Sequence, residues 1–574
     1  MSLSVKIHPH DKSWVEGQTS ALPNDLKYSL ISNYLKQPSR RDANIFLRQA
    51  VGVIKSSVDV GQFETHLKWG EDDLRSQAKL SADHCTNRIR LLSREINSAK
   101  LLTVLSVKGI GHVEKPVNEY VYDLVTIRNV YVGLKRYAES KSINMPIIDE
   151  VTTFKDYSGE ISDKELGKVT KQAGKLLTTL ARLTDYSWWL KQLRKSVNRK
   201  VEISAHAANL VNRKKGIYAS DASVNRRKAQ VARSQKMLSE HEAVNELGDR
   251  FTLADLSDKN VSNPAIRRAE LMVRIRGTED YANQAGLKGV FLTITCPSKY
   301  HRSFSKTGKP NPKWKGYTPR IAQEYLNSVW QRIRAAFQRA NIKPLGVRVA
   351  EPQHDGTPHW HLLLFVCPEQ MKEMVDICRH YALLEDGEEK GASTHRLDVT
   401  PIDPEIGSAT GYIAKYICKN IDGANLDSGT YGEDPIIAAQ RVDTWRSVWG
   451  IRQFEFIGGC SVTVWRELRR LPEDKELPEE VEEIRKAADS ANWGKFNELM
   501  GGFFCKRKEQ ALRPYYSFKF DSSTGEIKES RYGDSFIEKL LGVVFKGQNI
   551  ITRFHEWRVE KIGATNFLPL EFCK

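Results

Sequence analysis

Two strand-like runs separated by a tight turn constrain the fold of this chain more than any other feature of its sequence. LGVRVAE (345–351) and HWHLLLFV (359–366) are rich in apolar and β-branched residues, a composition that is typical of strands. Between them lies Asp355-Gly356, a dipeptide that favours the turn of a β-hairpin. The sequence therefore predicts two adjacent antiparallel strands, and with them an antiparallel sheet.

The segments around this hairpin alternate between strand and helix patterns. GVFLTIT (289–295) is a β-branched and aromatic run that ends at Pro297, so it predicts another strand. Residues 317–340 carry apolar side chains at every fourth position, which predicts a helix. Residues 367–383 and 410–422 are also predicted to be helical. The central region is therefore predicted to have an α+β fold, with the antiparallel sheet flanked by helices.

The regions on either side differ in composition. Residues 165–195 place leucines at helical spacings, and residues 204–246 are rich in good helix formers. Beyond about residue 470 the acidic, proline-bearing LPEDKELPEEVEEIRK indicates a linker or a surface helix, and short strand-like runs follow it. One hydrophobic core cannot serve 574 residues. We therefore divide the chain into a mostly α-helical N-terminal region (1–245), a central α+β domain (246–470), and a linker with a small mixed C-terminal region of unassigned role (471–574).

Positive charge is concentrated in one segment. The chain has a formal net charge of +17, which favours a polyanionic partner. Residues 191–236 contain thirteen Lys and Arg against only Glu202 and Asp221, a local balance of +11. Trp188, Trp189 and Tyr218 add aromatic rings, and these favour nucleic acid over the alternative of a solvated helix face. Candidate DNA-binding residues in this segment are Lys214, Lys215, Arg226, Arg227 and Lys228.

The sequence also excludes several classes of protein. No run approaches the roughly 20 uninterrupted apolar residues of a bilayer span, and the N-terminus lacks the apolar core of a secretory signal. We therefore expect no membrane partner and a cytoplasmic location. The eight cysteines are scattered without a CxxC pair, which argues against a disulfide framework and a structural zinc site. Without GxxxxGK[ST], the chain is not expected to bind ATP.

Two histidines on the second strand of the hairpin form half of a metal site. His359 and His361 are spaced i, i+2, so both imidazoles face the same side of the sheet. The hairpin brings Glu351 alongside His359, and a carboxylate completes a set that leaves coordination positions open. His354 and Gln353 are alternatives to Glu351, although they lie closer to the turn. Histidines that only pack on a sheet are the plainer alternative, which the nearby carboxylate disfavours.

Two tyrosines share one face of the predicted helix 410–422. Tyr412 and Tyr416 are spaced i, i+4, which places them side by side. A tyrosine hydroxyl is a usable nucleophile toward a phosphodiester once a cation polarises the phosphate. Lys415, between them, and Lys419, three residues beyond, carry ammonium groups that stabilise a phenolate or charge on phosphorus. We assign Lys415 to the catalytic residues and Lys419 to the DNA-binding residues. An aromatic stripe packed into the core is the alternative.

Taken in order, these residues resemble a known superfamily. FLTIT (291–295), HWH (359–361) and YIAKY (412–416) are similar to the three motifs of the HUH endonucleases, in the subclass with two tyrosines. EPQHDGTPHWHLLLF, GYIAKYICKNIDG, NPAIRRAELMVRIRG and RQFEFIGGCSVTVWRELRRL resemble the replication gene A proteins of tailed bacteriophages. The close resemblance covers about residues 245–471, and the N-terminal half is similar only loosely.

The resemblance implies both a fold and a set of site residues. The fold is an HUH endonuclease core, a five-stranded antiparallel sheet with the histidines on a central strand and the tyrosines on a facing helix. Thr293 and Thr295 belong to the strand beside the hairpin. The chain departs from many relatives at Gln353, where they have histidine, and this weakens position 353 as a ligand. The implied holders of Mg²⁺ or Mn²⁺ are His359, His361 and Glu351, and the implied nucleophiles are Tyr412 and Tyr416.

The resemblance also implies an activity. The expected enzyme nicks single-stranded or supercoiled origin DNA at one site on one strand. It leaves a 5′-phosphotyrosyl link and a 3′-hydroxyl that primes rolling-circle replication of phage DNA. A host helicase and a host DNA polymerase are the expected partners, in the cytoplasm of the bacterial host. Alternatives are a two-tyrosine transposase or relaxase and a non-cleaving origin-binding protein. A zinc hydrolase is more distant, because the chain has no His-Glu-x-x-His.

Overall fold

The computed structural model describes residues 7–57, 67–95, 117–146 and 163–563, apart from positions 404, 406, 425, 474, 522, 523 and 534. Helices and strands are both present throughout residues 241–561, which confirms the predicted α+β class. None of the described helices is long and apolar enough to cross a membrane. The chain forms two compact units, Met1–Val201 with Ser517–Lys539 and Glu202–Tyr516 with Leu540–Lys574. The sequence-based division at residues 245 and 470 stays a prediction.

The first unit is built from helices. The segment 165–195, predicted as one helix, is two helices in the structure. They separate at Asp185, whose carboxylate accepts a hydrogen bond from the Ser187 backbone N–H at 2.8 Å and so caps the second helix. The helices are α1 (Pro9–Thr19), α2 (Asn24–Tyr34), α3 (Arg40–Ser57), α4 (Glu71–Glu95), α5 (Val117–Ser140), α6 (Asp163–Leu183) and α7 (Tyr186–Ala207), the last of which continues into the second unit.

The second unit contains the remaining helices and three antiparallel sheets. Its helices are α8 (Asp221–Ser239), α9 (Leu253–Asp258), α10 (Pro264–Gln284), α11 (Pro319–Arg339), α12 (Met371–Leu383), α13 (Ala392–His395), α14 (Ala409–Ile421), α15 (Pro435–Trp449), α16 (Val462–Leu468), α17 (Glu479–Asp489) and α18 (Trp493–Leu499). Its strands are β1 (His241–Asn245), β2 (Arg250–Thr252), β3 (Lys288–Ile294), β4 (Leu345–Pro352), β5 (Pro358–Val366), β6 (Leu397–Pro401), β7 (Phe454–Ile457), β8 (Leu512–Phe518), β9 (Glu538–Phe545), β10 (Gln548–Ile551) and β11 (Trp557–Lys561).

The central sheet has five strands in the order β6-β3-β5-β4-β7, and every neighbouring pair is antiparallel. The predicted hairpin is β4 and β5, and its turn contains Gly356 at φ +81°, a conformation that glycine adopts without strain. The strand that carries the two histidines, β5, lies at the centre of the sheet. The expectation of a five-stranded antiparallel sheet with the histidines on a central strand is therefore confirmed.

Both faces of this sheet are buried, and a different set of helices covers each. Trp360, Leu362 and Leu364 on one face share a core with α11, α12 and α15. Leu363 and Phe365 on the other face share a core with α10 and α14. The strands are therefore almost continuously apolar, as sheets covered on both sides require. The histidines lie on the face that α14 covers.

One local prediction was wrong because tertiary contacts override propensity. The helix predicted over 204–246 is interrupted by an irregular loop at residues 208–220. Next to this loop, buried Glu202 accepts a hydrogen bond from the backbone N–H of Ser220 at 3.0 Å.

The acidic segment after residue 470, predicted as a linker or a surface helix, contains helix α17. This helix buries Val481 and Ile484 in the second core. The next helix, α18, approaches Gly277 of α10 so closely that a Cβ at Gly277 would lie 2.6 Å from the Gly494 nitrogen.

Candidate metal centre and tyrosine helix

One carboxylate and two imidazoles converge where β4 and β5 approach their turn. Glu351 lies directly opposite His359 in the hairpin register, so the strands themselves bring the side chains together. The Glu351 Oε2 atom is 3.0 Å from Nε2 of His361 and 3.5 Å from Nε2 of His359. One ligand atom from each of the three residues lies within 4.8 Å of the others. The predicted set is therefore assembled, and Glu351 rather than a residue of the turn supplies the carboxylate.

Of the alternative ligands of the turn, His354 has other partners. It is buried, and its Nε2 lies 3.1 Å from the Ser303 carbonyl oxygen and 3.3 Å from the Ser303 hydroxyl. His354 does not join the Glu351 set. The backbone N–H of Gln353 donates to the Thr357 carbonyl and helps to close the turn.

A buried lysine fixes the charge of Glu351. Burial alone would raise the pKa of the carboxyl group, but the Lys419 ammonium and the hydrogen bonds from both imidazoles hold this pKa well below its usual range. Lys419 is itself buried, forms an ion pair with Glu351 and donates to the Thr430 hydroxyl at 2.6 Å. Its ammonium also lies 5.1 Å from the centre of the Tyr218 ring. In this structure, Lys419 faces the carboxylate rather than solvent, while its DNA-binding role stays a prediction.

A threonine on the neighbouring strand orients one imidazole. The Thr293 hydroxyl lies 3.0 Å from Nδ1 of His361. The other ring nitrogen, Nε2, therefore faces the Glu351 carboxylate. Outer partners of this kind hold metal-binding histidines in one ring orientation. Thr295 has a different partner: its hydroxyl donates to the His395 carbonyl oxygen at 2.8 Å.

The imidazole of His359 is suited to remain neutral. Its pKa is lowered to about 4, first by burial and then by the neighbouring His361, against the opposing effect of Glu351. Its Nδ1 is buried without a hydrogen-bond partner among the described residues. A neutral imidazole is the form that binds a cation. These donors fit a divalent metal of the Mg²⁺ or Mn²⁺ class, which accepts oxygen and imidazole ligands.

We expect the metal-free protein to lose stability at acid pH through His359. Its folded-state pKa lies below the ordinary value near 6.5, so the unfolded chain takes up the proton first and stability falls as pH drops from 6.5 toward 4. Relative to His359→Gln, the wild type should lose roughly 2 to 3 kcal/mol between about pH 7.5 and about pH 4.5. Urea unfolding of both proteins in EDTA measures this difference. An equal pH dependence in the two proteins would contradict it.

Both tyrosines lie on α14, and Tyr416 packs against His361. The ring of Tyr416 lies 3.9 Å from the His361 ring, centre to centre, and also stacks on Phe291 at 5.5 Å. Burial raises the pKa of Tyr416, and Glu351 and Asp398 raise it further. Its hydroxyl is therefore protonated at neutral pH in this structure. The i, i+4 prediction thus places Tyr416 against the carboxylate–imidazole set.

Tyr412 and Lys415 lie on the same helix. Tyr412 is half-buried one turn before Tyr416, which is also half-buried, and Lys415 is exposed. Both residues are on α14 as predicted.

A buried glutamate that sequence reasoning missed fixes the start of α14. Glu279 of α10 accepts hydrogen bonds from the backbone N–H groups of Ala409 and Thr410 at 2.7 and 3.0 Å, and from the Thr410 hydroxyl at 2.5 Å. A carboxylate at this end satisfies free N–H groups and complements the helix dipole. Nothing in the sequence connects Glu279 with a helix 130 residues away. It positions the tyrosine helix without contacting the site itself.

The basic segment 191–236 is only partly available to a polyanion. Lys214, Lys215 and Lys228 are exposed, whereas Arg226 is half-buried and Arg227 pairs with Asp443 at 2.7 Å. The aromatic rings cited above do not all support DNA contact: Trp189 and Tyr218 are fully buried, and the Tyr218 hydroxyl donates to Glu433. The DNA-binding roles predicted for the five basic residues stay predictions.

Two of the exposed lysines test that prediction. If they contact phosphates, Lys214→Glu with Lys228→Glu should weaken binding of single-stranded DNA. The slope of log K against log salt should also become shallower, by about 0.7 for each lost contact. Fluorescence anisotropy over a range of salt concentrations measures both quantities. An unchanged slope would assign these lysines to a solvated surface.

These features define an α+β protein with a candidate metal centre of one carboxylate and two imidazoles beneath a helix that carries two tyrosines. The chain belongs to the bacteriophage replication gene A protein family, because the model of that family matches residues 125–424.

Three relatives illustrate the similarity. The replication protein of Haemophilus phage HP1 is 40% identical over 391 residues, which are 67% of this chain and 49% of that protein. The replication gene A protein of Escherichia phage 186 is 39% identical over 408 residues, 68% of this chain and 58% of the relative. A probable replication endonuclease from a prophage-like region of Salmonella typhimurium is 34% identical over 400 residues, 66% of this chain and 48% of the relative.

The matches cover only part of these relatives. The chain spans about half to three fifths of the length of the first four relatives, from 49% to 60%. No solved structure matches the chain significantly.

Proposed function

We propose that this protein is a DNA endonuclease that nicks a replication origin by tyrosine transesterification and so initiates rolling-circle replication. The observation that carries the proposal is the close packing of Tyr416 against His361, which is itself hydrogen-bonded to Glu351. The five-stranded sheet and the facing tyrosine helix support an HUH endonuclease core. Relatives named replication gene A protein and probable replication endonuclease support replication as the process.

Glu351, His359 and His361 would hold Mg²⁺ or Mn²⁺. When bound, the cation withdraws charge from the scissile phosphate and makes its phosphorus more electrophilic. Thr293 and Lys419 keep this set in place, the first through Nδ1 of His361 and the second through the Glu351 carboxylate. Because the pKa of Glu351 is depressed and that of His359 is low, these two residues are already in the protonation states that bind a cation.

A tyrosine of α14 then acts as the nucleophile. Its hydroxyl oxygen forms a bond to phosphorus, the bond from phosphorus to the 3′ oxygen breaks, and the phenolic proton passes to that oxygen. The products are a 5′-phosphotyrosyl link and a free 3′-hydroxyl from which a polymerase extends. The exposed ammonium of Lys415, between the two tyrosines, stabilises negative charge as the phenol loses its proton.

The second tyrosine allows repeated rounds. After the strand has been copied, Tyr412 or Tyr416, whichever is free, attacks the regenerated origin, while the released 3′-hydroxyl reverses the first link. Covalent attachment is never lost between rounds. Unwinding and synthesis are supplied by a host helicase and a host DNA polymerase, since the chain has no ATP-binding motif of the GxxxxGK[ST] type.

Incubation with labelled single-stranded fragments of the genome that encodes the chain tests this function. With Mn²⁺, one fragment should give a protein–DNA adduct that survives denaturing electrophoresis, together with a shorter product ending in a 3′-hydroxyl. EDTA should abolish both. Binding without cleavage in every fragment would support the non-cleaving alternative and overturn the proposal.

A further inference from the structure

Arginines crowd the outer edge of the five-stranded sheet, where β7 is the terminal strand. The guanidinium carbon of Arg267 lies 5.5 Å from the centre of the Phe454 ring. That of Arg274 lies 3.7 Å from the Phe456 ring and 4.8 Å from the Trp493 ring. Guanidinium and aromatic planes are thus interleaved along this edge. We name the surface formed by Arg267, Arg274, Arg446, Arg452 and Phe454 the edge patch.

The edge patch carries more positive charge than its carboxylates neutralise. Within the part of the chain that the structure describes, no carboxylate lies at ion-pairing distance from Arg267, Arg274 or Arg452. The Nε of Arg274 is buried without a hydrogen-bond partner among the described residues. The neighbouring carboxylates are already paired: Asp443 with Arg227 and with Arg446 of the patch, Asp422 with Arg268, and Glu270 with Arg466.

Electrostatics within the patch reflect this crowding. Burial lowers the pKa of Arg267, and repulsion from Arg446 acts in the same direction while Asp443 opposes it. The pKa of Arg274 is lowered to about 10, first by burial and then by repulsion from Arg466 and Arg452, with Glu270 opposing both. Burial is the larger cause in each case, and the neighbouring arginines add to it. An anion bound at the patch would relieve this repulsion.

The patch lies beside the candidate metal centre, on the same face of the sheet. Phe454 is directly opposite Val349, and Val349 is directly opposite His361. Residues opposite one another in a sheet point to the same face, and neighbouring strands are about 4.8 Å apart. Phe454 is therefore about 10 Å from His361, two strands away. A nucleic-acid strand can reach both positions with adjacent nucleotides.

We propose that the edge patch binds single-stranded DNA next to the scissile phosphate. Arg267, Arg446 and Arg452 contact the backbone phosphates, and a base stacks on the plane formed by Arg267 over Phe454. A single strand is favoured because only unpaired bases can be turned onto a guanidinium or aromatic plane. The proposal rests on the proposed function in one respect: it takes the strand bound here to be the strand that is cleaved.

Binding rather than cleavage tests the patch. Full-length wild type, R267Q, R452Q and F454L are titrated with a fluorescent mixed-sequence single-stranded oligodeoxynucleotide in EDTA, over a range of salt concentrations. Each arginine variant should bind about 5- to 10-fold more weakly and flatten the slope of log K against log salt by about 0.7. F454L should bind about 10-fold more weakly without changing the slope, because stacking releases no counterions. The matched control is R379Q on α12, which has a side chain 44% exposed, and it should bind like the wild type.

The outcomes separate the patch from the proposed function. Folded variants with wild-type affinity and slope overturn the patch, even if the wild type forms the covalent adduct. Weakened binding by the variants supports the patch, even if no fragment is ever cleaved. Thermal unfolding monitors the fold of each variant. Arg452 is exposed, so R452Q decides the question alone if R267Q fails to fold.

Discussion

The double variant Tyr412→Phe/Tyr416→Phe is expected to form no covalent adduct with origin DNA, a loss of at least about 1,000-fold in cleavage. Phenylalanine keeps each ring and its packing while it removes the hydroxyl, so the nucleophiles are lost and the core is not. Each single variant should retain one round of nicking, because the proposed mechanism gives the two tyrosines of α14 the same nucleophilic role. Both single variants should lose repeated rounds of replication. Gel electrophoresis of denatured reactions measures the adduct, and the yield of circular product measures the rounds.

Tyr431→Phe provides a matched control. Tyr431 is a half-buried tyrosine near the site, with its ring 6.2 Å from the His354 ring, and it lies outside the tyrosine helix. It should form the adduct at the wild-type level. An adduct that persists in the double variant would remove the pair from the mechanism. If one single variant has no activity at all, the account of two equivalent nucleophiles is wrong.

The second large effect is expected from His361→Ala. His361 is the ligand that contacts Glu351, Thr293 and Tyr416 at once, so its removal takes away a metal donor and the surface on which Tyr416 packs. Mn²⁺ affinity should fall by at least about 100-fold, since even outer partners of metal ligands contribute about 10- to 100-fold. Nicking should disappear with it. Calorimetric titration with Mn²⁺ measures the affinity.

His380→Ala is the control for this experiment, because His380 is exposed on α12. It should bind Mn²⁺ as the wild type does. Binding of single-stranded DNA by His361→Ala should stay within a few-fold of the wild type, because phosphate contacts elsewhere dominate affinity. Nicking by His361→Ala at the wild-type rate, with Mn²⁺ or in EDTA, would show that the metal centre does not serve the reaction.

The hairpin could be predicted because its signals are local. Asp355-Gly356 fixes the turn, the turn fixes the register, and the register places Glu351 opposite His359. The shared face of Tyr412 and Tyr416 on α14 could be predicted in the same way, because residues spaced i, i+4 lie on one helix face. These short-range rules explain why the metal set and the tyrosine pair were predicted by residue number.

Long-range partners could not be predicted in this way. Glu279 caps α14 from a distance of 130 residues, and Tyr218 reaches Glu433 across 215 residues. Lys419 was assigned to DNA binding from its position three residues beyond Tyr416, yet the fold buries it against Glu351. Such pairings depend on how elements pack, which sequence spacing alone does not specify.

Local propensity failed where packing competes with it. The helix-forming residues of 208–220 become a loop because buried Glu202 holds Ser220 at the start of α8. The acidic segment after residue 470 was predicted as a linker or a surface helix from its charges. Its apolar residues, Val481 and Ile484, nevertheless repeat at a helical spacing and are buried in the core.

Peptide mapping of the trapped adduct by mass spectrometry tests the central claim most directly. After cleavage of a labelled single-stranded origin fragment with Mn²⁺, proteolysis should leave a nucleotide remnant on the peptide that contains α14. The account predicts that the remnant is attached through phosphorus to the hydroxyl oxygen of Tyr412 or Tyr416. A remnant on any other residue, or cleavage with no covalent remnant at all, would contradict it.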